Sequence, residues 1–291
     1  MGNASLRKVT HQRRFAKSEI VVAATTTIGS RHETPATVAE RLSASPAALR
    51  SVPAAHGSGK VTPMGNLGIY FIFLIPPMIL GFVIQHRLKT TVTQQMQVQV
   101  ANGMTGEQVA RMILDHNGLS GVPVNQAQGG PLSDHYDPRN RTVNLSPGVY
   151  DGDAVASVAI AAHEVGHAIQ HEKAYGPFRV RSTMFPAVAF ASQTWMLLLL
   201  AGVFLQIAGL AQVAIVLFAV VVLFQLVTLP VEFDASKRAK VQLHSLGLVA
   251  GGEEQGVSKV LSAAAMTYVA GALAALSQLA YFAMMFLGNR N

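Results

Sequence analysis

Three stretches of this chain carry no Asp, Glu, Lys or Arg: Leu67 to Ile84, Ser182 to Val231, and Val260 to Asn289. About 20 consecutive apolar residues cross a bilayer core as a helix. The pattern therefore predicts four spanning helices, at Leu67–Ile84, Phe185–Ile207, Leu210–Leu229 and Leu261–Leu287. The middle pair forms a hairpin turning near Gly209. Pro76 and Pro77 remove backbone donors inside the first span and should kink it.

The polar positions between these runs follow other periods. Gly106 to His116 places Val109, Met112 and Ile113 on one face of a short amphipathic helix, with Gly118 close behind. Pro123 to Ser146 mixes turn residues with short apolar pairs and reads as turns and short strands. Ala154 to Glu172 is rich in helix formers, and Asp151 or Asp153 is placed to cap it. After Pro230, which permits a fresh helix start, Glu232 to Leu246 is amphipathic and Gly247 reads as its C-cap. No internal repeat is present.

Charge is scarce, at 13% of 291 residues, where soluble domains carry about a quarter. It is also uneven. Residues 1–63 hold nine Lys/Arg against three Glu, and the remaining residues hold thirteen against twelve acids. The basicity thus belongs to a leader rich in Ala, Ser, Thr and Arg, which reads as disordered, as a targeting segment, or as sequence ahead of a true start at Met64. No basic patch interleaved with aromatics remains to hold nucleic acid. Cysteine is absent, so any zinc must sit on His, Asp or Glu.

The chemistry centres on His163-Glu164-Val165-Gly166-His167. Residues four apart share a helix face, so the two imidazoles can hold one Zn²⁺ while Glu164 acts as general base on the attacking water. Val155, Val158, Ala159 and Ala162 form an apolar face that buries this helix. A metzincin would need Gly at 170 and His at 173; the chain has Gln170 and Lys173. The other common third ligand is a carboxylate on a later helix, and Glu232 follows directly after the third span. Asp234 is either a carboxylate steering an imidazole or a helix N-terminal acid. His171 lies near the face of His163 and reads as a solvated helix-end residue, with ligand or substrate donor as the alternative. His135 reads as a turn residue or a transition-state stabiliser. Arg141 to Ser146 alternates like an edge strand, so Arg141, Val143 and Leu145 are candidates to receive substrate as an added strand, or simply structural.

Four segments together carry a resemblance: His135-Tyr-Asp-Pro-Arg139, Leu145-Ser-Pro-Gly-Val-Tyr150, Ala161-Ala-His-Glu-Val-Gly-His-Ala-Ile-Gln-His171 and Leu229-Pro-Val-Glu-Phe-Asp-Ala-Ser236. Over roughly residues 64–288 the chain resembles the YugP-type neutral zinc metallopeptidases of bacterial membranes. The resemblance implies a membrane protein with zinc and peptidase activity. More distantly the layout is similar to HtpX and the CAAX prenyl proteases, whose third ligand is a Glu on a later helix. Those usually carry Asp four residues after that Glu; here Ser236 stands there, with Asp234 two residues after it.

The expected molecule is a mainly α membrane protein. Four transmembrane helices carry a small α+β, zincin-like catalytic lobe. Its division is a leader at 1–63, a first span at 64–85, a lobe with the His-Glu helix at 86–181, a hairpin at 182–231, a third-ligand helix at 232–259 and a last span at 260–288. Expected partners are a peptide or protein substrate, membrane proteins among the candidates, and the lipid bilayer. Without the leader, twelve of thirteen basic residues fall on the lobe side, which places the lobe in the cytoplasm of a bacterial plasma membrane. The rival readings are a catalytically idle zinc-binding scaffold, a metal transporter, which would need ligands inside its spans, and a prenyl-protein processing enzyme.

Overall fold

The computed structural model describes residues 67–287; the expectations for residues 1–63 and for a start at Met64 lie outside them. In chain order the described elements are α1 (Leu67–Gln95), α2 (Gly106–His116), β1 (Val124–Gln126), β2 (His135–Asp137), β3 (Thr142–Leu145), α3 (Pro147–Tyr150), α4 (Val155–Glu172), α5 (Gly176–Phe204), α6 (Ala208–Ser245) and α7 (Gly252–Leu287).

Helices α1, α5, α6 and α7 are long and apolar enough to cross a membrane. At most 28% of any of their apolar windows is buried within the chain. Phe71, Ile72, Phe82, Phe190, Leu197 and Phe204 all face outward, an apolar surface that suits lipid rather than water. The spans pack α1 on α7, α5 on α6 and α6 on α7. Trp195 and Phe218 meet at 4.5 Å between ring centroids and Phe282 closes the cluster, joining α5, α6 and α7. Pro76 and Pro77 sit inside α1 without ending it. Pro77 has no N–H to offer the carbonyl of Phe73 four residues back. That oxygen instead accepts the Ser277 hydroxyl of α7 at 2.7 Å, so the proline's loss becomes an inter-helix bond.

The polar lobe is built around α4. Val155, Val158, Ala159, Ala162 and Val165 are buried together with Val109 and Ile113 of α2, Val143 and Leu145 of β3, Ala239 and Leu243 of α6, and Val257 and Val260 of α7. The lobe core therefore continues into the proximal ends of two spanning helices. Thr105 and Gln108 form a capping box at the start of α2, satisfying two of its orphan donors. The sheet has order β1-β3-β2, with β1 parallel and β2 antiparallel to β3.

Four local expectations are corrected. Neither Asp151 nor Asp153 caps α4; Ala154 holds that position, and the Val155 N–H goes to Val98 O at 2.8 Å. Backbone from the segment after α1 supplies the partner that a side chain was expected to supply, while Asp151 accepts from the Gln126 amide. Helix α5 starts at Gly176, with Pro177 in its first turn, nine residues before the apolar run. Arg179 and Arg181 mark where the uncharged run ends, not where the helix ends. Pro230 starts no new helix: α6 runs through it, because Val231, Ala235, Ala239 and Leu243 beyond it are all buried against the lobe. Lastly, Arg141 to Ser146 is no edge. Strand β3 begins at Thr142 and lies at the centre of the sheet, while Arg141 turns with φ +51 and pairs with Glu172 at the surface. Alternation reports one buried face; it does not report whether a strand has neighbours on both sides.

Candidate metal centre

Helix α4 and helix α6 touch at Gly166, where a β-carbon would lie 2.6 Å from the Ala235 carbonyl oxygen. This close approach sets Glu232 opposite the His163 and His167 rings. The rings are 4.8 Å apart between centroids and nearly perpendicular. Glu232 Oε2 lies 3.2 Å from His163 Nε2 and 3.6 Å from His167 Nε2. A nitrogen and a carboxylate oxygen bound to one tetrahedral zinc at about 2.1 Å are roughly 3.4 Å apart, so these two distances fit a shared ion, and the three donor atoms all lie within 4.8 Å of one another.

The proton positions point the same way. Gln170, fully buried, donates its amide to Val231 O at 2.7 Å and to Asp234 Oδ2 at 2.9 Å. Both partners are acceptors, which fixes the amide orientation and leaves Gln170 Oε1 facing His167 Nδ1 at 3.0 Å. An amide oxygen only accepts, so the His167 proton sits on Nδ1. Its Nε2 is then the nitrogen left facing the Glu232 carboxylate, where the two can share a cation. His163 Nδ1 lies 3.2 Å from the Ser236 hydroxyl, leaving its Nε2 aimed at the same carboxylate. Glu232 is 2% exposed; its Oε1 has no hydrogen-bond partner, although Arg181 Nη1 stands 3.5 Å away as a charge contact without hydrogen-bond geometry.

Glu164, next to His163, accepts the Tyr136 N–H at 2.8 Å. The Tyr136 phenol meets His171 Nδ1 at 2.9 Å. Burial pushes that phenol up to about 12. Burial, then the nearby Arg141, pushes the His171 imidazole below its ordinary value. Both shifts favour a protonated phenol donating to a neutral imidazole. His171 is therefore occupied with Tyr136 and is not in the His163, His167 and Glu232 donor group. Asp234 acts on His167 only through Gln170 and also receives the Arg238 guanidinium. His135 belongs to β2, with its Nδ1 on Ser133 O at 2.8 Å. Beside it, burial raises the Asp134 carboxyl above its ordinary value despite bonds from the Ser146 N–H and hydroxyl. A cleft of about 390 Å³ joins these groups, walled by β2, α4, the first turns of α5, and Glu232 and Tyr268 from within α6 and α7. Val143 and Leu145, buried in the lobe core, do not line it.

The family model described as "Putative neutral zinc metallopeptidase" matches residues 70–287. The chain belongs to that family. It is 48% identical over 222 residues to the "Putative membrane protease YugP" of Bacillus subtilis (strain 168), covering 76% of this chain and 98% of that relative. No solved structure matches.

Three residues of this family member escaped the reading of the sequence. Gln170 counted only as a missing metzincin glycine, yet it orients His167. Ser236 counted as a departure from an expected Asp, yet its hydroxyl reaches His163. Gly166 was given no role within the motif, although glycine inside a helix costs about 1 kcal/mol against Ala and so signals a close approach.

Proposed function

We propose that this protein is a membrane-embedded zinc endopeptidase, with His163, His167 and Glu232 holding the ion and Glu164 serving as general base. The observation that carries the reading is the pair of imidazoles whose Nδ1 atoms are occupied and whose Nε2 atoms converge on one buried carboxylate. Zinc held there would lower the pKa of its water to about 7 and polarise a carbonyl. Glu164 takes the proton of the attacking water and returns it to the leaving amine, at the wall of the cleft where both steps occur. Gln170 and Ser236 keep the imidazoles in register, the task of partners behind metal ligands. Strand β2 borders the cleft as an edge strand, with its Tyr136 N–H turned away from β3. A peptide substrate adding there would be presented to Glu164 in extended form, as in zincin-like lobes. Purified in detergent, the chain should cleave casein, and Glu164→Gln should slow this by about 10³-fold, within the range for a general base. Unchanged cleavage in Glu164→Gln would remove Glu164 as the base, and no cleavage by either protein would favour an idle zinc-binding scaffold.

The same proposal places the protein in a bacterial plasma membrane with its lobe in the cytoplasm. Arg87, Lys89, Arg179, Arg181, Lys237 and Arg238 all flank span ends on the lobe side. A reporter fused after Asn291 should read the extracytoplasmic side, and one inserted near Gly129 the cytoplasmic side. Both reading one compartment would break the orientation.

A further inference from the structure

Two helices, α5 and α6, give the cleft a consistent depth along the spans. From Ala208, where α6 begins, to Glu232 is roughly 36 Å at 1.5 Å per residue, against about 30 Å of hydrocarbon. Glu232 thus stands within roughly 6 Å of the hydrocarbon edge. In α5, Phe185 to Phe204 covers roughly 30 Å. Phe185 and Tyr268 both line the cleft beside Glu232. Ser182 and Thr183, exposed on the proximal turn of α5, line it too. Arg179, another exposed lining residue, sits one turn further out, at the level of phosphate headgroups.

The opposite wall is the polar lobe, through β2 and α4. The reacting groups therefore lie in the headgroup layer, between a wall made of span ends and a wall made of lobe. A bond reaching this layer from a membrane anchor needs little chain, since an extended strand advances about 3.3 Å per residue. A bond in a free soluble peptide must be recruited to the interface first.

Resting on the peptidase reading above, we infer that the substrate is a membrane-anchored polypeptide, cut within about five residues of the end of its own apolar span. The anchor confines the substrate to the plane in which the cleft opens and raises its effective concentration there. Distance from the membrane, more than side-chain sequence, selects the bond.

The test reconstitutes the full chain into phosphatidylethanolamine–phosphatidylglycerol vesicles with synthetic polypeptides. Each carries one apolar anchor of about 20 residues, a spacer increasing stepwise from none to about 20 residues, and a casein-derived sequence. The casein sequence without an anchor is the reference. Mass spectrometry should place the cuts within about five residues of the anchor at every spacer length, and anchored chains should react on the order of 100-fold faster than the free peptide. Cuts that follow the casein sequence outward, or equal rates for free and anchored forms, would overturn the inference and leave a Glu164-dependent peptidase standing. Absence of any Glu164-dependent cleavage would remove the peptidase reading and this inference together.

Discussion

Gly166→Ala should lower cleavage by about 10²-fold, the loss expected when reacting groups are displaced by about 1 Å. The added carbon would stand 2.6 Å from the Ala235 carbonyl oxygen, with the Ala235 backbone carbons at 3.2 Å. A backbone oxygen cannot swing aside as a flexible side chain can, so α6 itself must move. Ala235 lies one helical turn from Glu232 and beside Ser236, so the displacement reaches a proposed ligand and the partner of His163 at once. Overpacking of this kind also costs about 1–3 kcal/mol of stability. Gly148→Ala is the control: it is exposed, and nothing lies within 4 Å of the β-carbon it would add. Wild-type zinc content and rate in Gly166→Ala would show that the α4–α6 spacing does not set the site.

The spans were legible in the sequence because lipid imposes a length and a charge rule that few other folds satisfy. Their helix ends were not, because a helix continues into water wherever packing supports it, as α5 does through Arg181 and α6 through Pro230. The pairing of His163 with His167 follows from one helical turn and needed no tertiary information. Glu232 was reachable because a span returns the chain to the side it left. Gln170 was not, since its part depends on Val231 O and Asp234 from another helix fixing which way its amide faces. The same limit explains β3. A period of two places Val143 and Leu145 on a buried face, but only the pairing of β1 and β2 on either side shows that no substrate strand can join it. His135 and His171 illustrate the converse: both border the cleft, and both have their Nδ1 atoms occupied, His135 by the local Ser133 carbonyl and His171 by Tyr136, which lies close only after folding.

The most direct measurement is zinc per chain in the purified full-length protein and in single substitutions, read beside thermal stability. About one zinc per chain is expected in the wild type and in Glu164→Gln, whose carboxylate works on water rather than on the ion. Glu232→Ala should lose the metal almost completely, because it removes the only carboxylate that faces both Nε2 atoms among the described residues. Asp234→Ala, acting through Gln170, should weaken binding by about 10- to 100-fold, as for groups behind a metal ligand. His171→Ala should keep full occupancy, since that ring is taken up with Tyr136. Full zinc occupancy in Glu232→Ala, with loss in His171→Ala or complete loss in Asp234→Ala, would contradict the proposed site.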